Sequence, residues 1–190
     1  SGLIWADPDR PELLPESLTS NLEWVQLPFA GIEPFLPMLD NQRIWTCGKG
    51  VYSQPVAEHV LGSILALKRG FVTYAREQQW SAPVGESLFG SHVVILGSGG
   101  IANNLLPLLS AFGCETTVIR RSKEKNPAAT HTACLEDLPN ILPLADVVVL
   151  ALALTPATSR IVDTAFLEMM PKHSVLVNVA RGKHVVTTDL

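Results

Sequence analysis

The sequence predicts an α/β protein organised around a doubly wound parallel sheet, and three observations carry the prediction. Hydrophobic residues make up 47% of the 190 and charged residues only 17%, well under the ~25% charged share of an average globular chain, so much of the surface is covered. From His92 onward, short apolar runs alternate with segments of helical periodicity, the pattern of strands joined by crossover helices. Some of those runs, Val147-Val148-Val149-Leu150-Ala151-Leu152 above all, lack the polar alternation of a half-exposed strand, as expected where helices cover both faces of a sheet.

The length suits one domain with part of another. The first fifty residues read as irregular and Pro-rich, with strand-like runs at Trp24 to Leu27 and Arg43 to Cys47 and a turn at Pro28-Phe29-Ala30-Gly31. From Gln54 to Tyr74, Val56, Val60, Ile64, Leu67 and Phe71 recur at helical spacing. That stripe predicts one long helix, with Pro55 in its first turn, joining two parts. A polar connector, Ser81 to Ser91, follows. Strands are then predicted at His92 to Leu96, Glu115 to Ile119, Asp146 to Leu152 and Ser174 to Val179, and helices at Ile101 to Phe112 and near Leu135 to Leu142 and Thr164 to Met169. Pro107 removes a backbone donor inside the first of these helices and predicts a kink or a shifted start. The expected organisation is residues 1–53 as a partial domain, 54–84 as helix and connector, and 85–190 as a second domain.

The net charge is −4, and no basic run exceeds Arg120-Arg121-Ser122-Lys123, so the electrostatic footprint of a nucleic-acid binder is missing. Cys47, Cys114 and Cys134 are odd in number and widely spaced, which suggests neither a disulfide framework nor a metal site and fits a reducing compartment. The longest apolar stretch, Ile141 to Leu154, is broken by Pro143 and Asp146 and falls short of the ~20 residues of a membrane span. With no targeting segment at Ser1 to Glu12, a cytoplasmic location without a membrane partner is expected.

Gly97-Ser98-Gly99-Gly100-Ile101-Ala102 follows a predicted strand directly and opens a predicted helix. In that context GxGxxA marks a Rossmann-type dinucleotide site. Gly97 permits the tight turn, Gly99 lets a pyrophosphate approach the backbone, Ala102 allows close packing, and the helix start supplies N–H groups and positive dipole. The bland alternative is a Gly-rich turn without function. At the end of the second strand, where an acid would hold a ribose 2′-hydroxyl, stand Arg120, Arg121 and Ser122. Two guanidinium forks and a hydroxyl suit a 2′-phosphate, so NADP (as NADPH) is expected in preference to NAD, with NAD possible; simple solvation of both arginines is the alternative.

Ligands of open α/β sheets sit beyond the carboxyl ends of the strands. Two such places stand out, Leu154-Thr155-Pro156-Ala157-Thr158 and Ala180-Arg181-Gly182. A cation leaving a buried strand needs an anionic partner, and Arg181 would clamp a substrate carboxylate and carbonyl oxygen, or else pair with a carboxylate of the fold.

Pro55-Val56-Ala57-Glu58-His59, the GSGGIA turn, Leu154 to Thr158 and especially Leu176 to Gly182 (LVNVARG) resemble the D-isomer-specific 2-hydroxyacid dehydrogenases. Arg120 to Ser122 and the ending RGKHVVTTDL lean toward the NADPH-using glyoxylate/hydroxypyruvate reductases. The resemblance covers nearly the whole chain and implies a Rossmann-type domain with part of a flavodoxin-like substrate domain. It implies that Arg181 is the catalytic arginine, holding a small 2-oxo acid and polarising its ketone. Ala30, Gly31 and Ile32 match a turn whose N–H groups bind that carboxylate. Gly97, Ser98, Gly99, Gly100 and Ile101 hold the pyrophosphate, and Leu154, Thr155, Pro156, Thr158, Val179 and Ala180, with Arg181, line the nicotinamide side. Glu58 and His59 read as structural. A homodimer is implied as well.

The family's Glu and proton-donating His follow the arginine at distances that run past Leu190, and an opening strand and helix precede the region matched by Ser1 to Arg10. The expectation is therefore a central portion of a longer enzyme, with His184 not cast as the missing acid. A cofactor-sensing interaction protein resembling the C-terminal-binding-protein corepressors is the alternative from another class. A family member acting on formate, phosphite or a bulkier oxo acid is a milder one.

Overall fold

The computed structural model describes residues 1–80, 82–122 and 124–190. Ser81, at the head of the expected connector, and Lys123, at the end of the basic run, lie outside the described residues. The chain divides into two compact units, Ser1–Tyr52 and Ser53–Leu190. Among the described residues no helix is long and apolar enough to cross a membrane.

In the first unit, β1 (Gly2–Ile4), β2 (Trp24–Leu27) and β3 (Ile44–Cys47) form a parallel sheet in that order. β1 has no counterpart among the strands expected from the sequence, because a strand of three residues is too short to show alternation and is defined by its pairing with Trp24, Val25 and Gln26. The short helix α1 (Leu14–Ser17) and a 3-10 segment, Glu33–Met38, bring Leu14 and Phe35 against Leu22, Val25 and Leu27, which form the core of this unit.

The second unit opens with α2 (Ser53–Lys68) and α3 (Phe71–Tyr74). Then follow β4 (His92–Leu96), α4 (Gly100–Ser110), β5 (Glu115–Ile119), β6 (His131–Ala133), α5 (Leu138–Ile141), β7 (Val147–Leu150), α6 (Thr164–Met169) and β8 (Val175–Asn178). Its five strands pair in parallel in the order β6-β5-β4-β7-β8, the doubly wound Rossmann-type arrangement expected from the alternating runs. The chain winds outward from β4 through β5 to β6, then returns to lay β7 and β8 on the other side, so the strand order reverses between β4 and β7.

Alternate residues of each strand feed two cores. Val93 and Ile95 pack with Ala57, Val60 and Ile64 of α2 and with Leu105, Leu106 and Leu109 of α4. Val94 and Leu96 pack on the opposite face with Leu138, Leu142, Val162 and Phe166. Val93 to Leu96 and Val147 to Leu150 are all fully buried, which accounts for runs with no polar alternation. Each such side chain contributes about 1.5–3 kcal/mol of gross hydrophobic stabilisation.

Several elements depart from their expected form for identifiable reasons. The single helix expected over Gln54 to Tyr74 is two, because Gly70 adopts a left-handed φ of 66° and ends α2 as such glycines do. Leu67 and Phe71, the tail of the apolar stripe, are exposed, while Lys68 is buried and donates from Nζ to Glu86 at 3.2 Å. Pro107 neither starts nor ends α4, which runs through it, and its ring lies on the exposed face of the helix. The helix expected near Leu135 to Leu142 is α5 flanked by two 3-10 turns, Leu135–Asp137 and Leu142–Leu144, with Pro139 and Pro143 each near the start of a new segment. Strand β6 carries no clear apolar run and is missing from the sequence reading.

Asp146, just ahead of β7, accepts from the His92 N–H at 2.8 Å and from His173 Nε2 at 3.0 Å. Burial pushes its carboxyl up, but these bonds and the nearby Lys68 charge outweigh burial and hold it below the usual 3.8. A carboxyl depressed on folding contributes stability above its unfolded pKa that is lost as the pH falls through the folded one. Asp146→Asn should therefore destabilise the chain by about 1–3 kcal/mol at neutral pH. In urea unfolding, the gap from wild type should shrink as the pH is taken below 3.8; a gap that stays constant would contradict this.

Candidate functional site

In open parallel sheets the ligand crevice lies at the carboxyl ends of the strands where their order reverses, here β4 and β7. Gly97 follows β4 with φ 117°, and its N–H donates to Ile119 O at 2.8 Å. A Cβ at Gly97 would stand 2.7 Å from the carbonyl carbon of Ala151 and closer still to its oxygen. Conformation and crowding both exclude any other residue. At Gly100 a Cβ would run into the Ser53 side chain, whereas at Gly99 it would meet nothing within 4 Å. Gly99 is the N-cap of α4 and offers no side-chain cap, so the first N–H groups of an 11-residue helix face an open cradle. Ala102 is fully buried. An uncapped helix start behind an open glycine fits the pyrophosphate of a dinucleotide.

Arg120, Arg121 and Ser122 lie at the carboxyl end of β5, the latter two exposed. The Arg120 guanidinium is engaged: Nη1 donates to Glu124 O at 3.2 Å and Nη2 to Glu124 Oε2 at 3.3 Å. The place that holds no acid in the sequence register thus receives one by looping back, and Glu124 is itself largely exposed. Asn126, buried, escaped the sequence reading. Its Nδ2 donates to Ser98 Oγ and to Asn103 Oδ1, both at 3.1 Å, while its N–H donates to Thr132 Oγ1 at 2.9 Å. These bonds tie the arginine-bearing loop to the glycine turn. An Asn ahead of a Pro reads as a turn residue in sequence, and nothing local reveals the partners.

After β7, the loop carrying Leu154, Thr155, Pro156 and Thr158 is closed on itself. Thr158 Oγ1 donates to Ala153 O and accepts from the Thr155 N–H, each at 2.8 Å. After β8, Asn178 shapes the turn: Oδ1 accepts from the Ala180 N–H and Nδ2 donates to Arg181 O, both at 3.0 Å. Val179 N–H donates to Leu150 O at 3.2 Å. Arg181 is half-buried, with Nη1 donating to Ala180 O at 2.8 Å. The sheet therefore brings Gly97 to Ile101, Leu154 to Thr158 and Val179 to Arg181 to one end of three neighbouring strands, with Arg120 to Ser122 on the next strand over. Glu58 and His59 are exposed on α2. Among the described residues no group of three or more His, Cys, Asp or Glu is placed to hold a metal ion.

In the first unit, Ala30, Gly31 and Ile32 follow the carboxyl end of β2. Among the described residues none accepts a hydrogen bond from their N–H groups. Gly48, at the end of β3, donates to Leu27 O at 2.9 Å and to Phe29 O at 3.0 Å, and a Cβ there would stand 2.9 Å from Pro28 O. Gly48 is thus what lets this loop lie close to its neighbour.

Residues 61–190 match the family model described as D-isomer specific 2-hydroxyacid dehydrogenase, NAD binding domain. An uncharacterized protein of Corynebacterium melassecola is 34% identical over 96% of this chain and 60% of its own length. The hydroxyphenylpyruvate reductase of Plectranthus scutellarioides is 29% identical over 74% of the chain and 46% of its own. The chain thus spans roughly half to three-fifths of the length of these relatives. A D-isomer specific 2-hydroxyacid dehydrogenase family protein from Aeromonas salmonicida superposes with a TM-score of 0.88 at 24% identity, covering 99% of this chain and 61% of that one. An NADPH-dependent glyoxylate/hydroxypyruvate reductase from Sinorhizobium meliloti, solved with NADP and sulfate, gives 0.80 at 23%, covering 98% and 61%. Likeness at that identity shows a shared fold.

Gly97→Ala should weaken nicotinamide dinucleotide binding and lower stability by about 1–3 kcal/mol through overpacking and backbone strain. Gly99→Ala, which adds its methyl into open space, should weaken binding while leaving the melting temperature unchanged. Calorimetric binding and thermal unfolding of the two variants separate these outcomes; loss of stability in Gly99→Ala would refute the open cradle.

Proposed function

Because the chain belongs to the D-isomer specific 2-hydroxyacid dehydrogenases, we propose that it binds NADPH and serves the reduction of a small 2-oxo acid, of the glyoxylate or hydroxypyruvate kind, to a D-2-hydroxy acid. The observation that carries the proposal is the uncapped start of α4 behind Gly97 and Gly99 at the reversal of strand order, with Arg181 emerging two strands away at the end of β8. The substrate class draws support from relatives named glyoxylate/hydroxypyruvate reductase, one of them 28% identical. Residues 1–53 are proposed to be part of the substrate domain, 54–84 the helix and connector, and 85–190 the dinucleotide-binding domain.

The chain's own residues hold and orient. The N–H groups of Gly99, Gly100 and Ile101 bind the pyrophosphate, with Ser98 held beside them by Asn126. Leu154, Thr155, Pro156, Thr158, Val179 and Ala180 line the nicotinamide side. Bound there, the cofactor supplies the hydride. Arg181, on a turn fixed by Asn178, grips the acid's carboxylate and polarises its ketone with charge-assisted bonds. The N–H groups of Ala30, Gly31 and Ile32 are proposed, for their part, to bind a substrate carboxylate. His184 does not deliver the proton, because its ring is wholly buried and Nδ1 already serves Thr158 O. A homodimer, implied by the resemblance, belongs to the proposal.

Preference for NADPH over NADH rests on Arg120, Arg121 and Ser122. The Arg120–Glu124 pair is exposed on the Glu side, and such pairs are worth about 0–1 kcal/mol, so a dianionic 2′-phosphate exchanges readily for that carboxylate.

Two variants test the reading. Wild type should bind NADPH more tightly than NADH, and Arg120→Asp should remove the difference, as read by fluorescence titration; equal affinities in the wild type would refute the preference. Arg181→Ala should lower kcat/KM for glyoxylate by about 10²–10³ in the full-length protein while leaving NADPH affinity nearly intact. Undiminished turnover would end the assignment, and NADPH binding without turnover in the wild type would favour the interaction-protein reading.

A further inference from the structure

His184 is fully buried, and its Nδ1 lies 2.8 Å from the Thr158 carbonyl oxygen. A carbonyl only accepts, so Nδ1 carries the proton. Among the described residues Nε2 is buried with no hydrogen-bond partner, which leaves the ring as the Nδ1–H tautomer and no other. Backbone bonds run alongside this one. Arg160 N–H donates to Lys183 O and Val162 N–H to His184 O, both at 2.9 Å, and Val186 N–H donates to Val162 O at 2.8 Å. Val162 and Val185 form a parallel bridge. Between Thr158 and Val162, Arg160 has a φ of 57°, a left-handed conformation that a residue other than glycine keeps only where its surroundings hold it.

The loop after β7 and the loop after β8 are thus zipped together just beyond the residues proposed to line the nicotinamide. The His184 side chain is the cross-tie nearest to them. We propose that His184 is a positioning residue: its Nδ1–H bond to Thr158 O latches the Leu154–Thr158 loop onto the Val179–Arg181 loop, so that the nicotinamide half of the cofactor, and not the adenosine half, depends on it. The proposal rests on the dinucleotide reading above. The adenosine side is held by a separate network, Asn126 to Ser98 and Asn103, that shares no residue with the latch.

The test uses NADPH and, as a probe of the adenosine half alone, adenosine 2′,5′-bisphosphate, with binding to the chain measured by calorimetry. In His184→Leu, which fills the space without a donor, NADPH affinity should fall about tenfold, the size of one lost hydrogen bond, with the bisphosphate unaffected. His184→Asn places an amide donor near the Nδ1 position and should recover most of the loss, whereas His184→Gln, with its donor one bond further out, should not. Equal effects on the two probes, no effect on NADPH, or indistinguishable Asn and Gln variants would overturn the proposal, and the last comparison stands even if the Leu variant fails to fold. Long-range 1H–15N spectra of the wild type should show a proton on Nδ1; a ring protonated at Nε2 alone would overturn it as well. If wild type binds neither probe, the dinucleotide reading falls and the latch loses its purpose, even with the tautomer as described.

Discussion

The candidate site depends on one close approach of two backbones. Gly97, at the end of β4, lies so near the carbonyl of Ala151, at the end of β7, that no side chain fits between them. The two strands are hydrogen-bonded neighbours at the reversal of strand order, and the approach closes the floor of the crevice while α4 points its unpaired N–H groups across it. Everything else at that end of the sheet is arranged around this contact. It is secured by the fully buried apolar strands beneath, whose side chains pack helices on both faces.

Above that floor, the loops are held by side chains bonding to backbone and to one another. Asn126 ties the loop after β5 to the glycine turn, Thr158 closes the loop after β7, Asn178 shapes the turn that carries Arg181, and His184 bridges the last two loops. These bonds put the loops in place before any ligand arrives, which reduces the ordering required on binding. Of these four, Asn126 and His184 are buried, where a lost partner costs more than at the surface.

How much of this was legible in the sequence follows from the range of the interactions. The strands His92–Leu96 and Glu115–Ile119 and the helix Thr164–Met169 stood out because burial on both faces, or a helical period, marks every residue. The GSGGIA turn was legible for the same reason, since its glycines sit at fixed offsets between a strand and a helix. Gly2–Ile4 and His131–Ala133 did not stand out, because three-residue strands at sheet edges are defined by partners far along the chain. The break of α2 at Gly70 was visible as a glycine, yet an apolar stripe running through it concealed a change of direction. Asn126, Asn178 and the partner of His184 were illegible as site-builders, since each depends on contacts that only the fold creates. The approach of Glu124 to Arg120 is of the same kind: the spacing was present, but without a helix it carried no signal.

The central claim is that the start of α4 behind Gly97 receives a nicotinamide dinucleotide. Titrating the 15N-labelled chain with NADPH while following its amide resonances tests this most directly. The largest shifts are expected at Ser98, Gly99, Gly100 and Ile101, with Arg120 to Ser122 moving in the same titration. Saturable NADPH binding that leaves the amides of the glycine turn unmoved would contradict it.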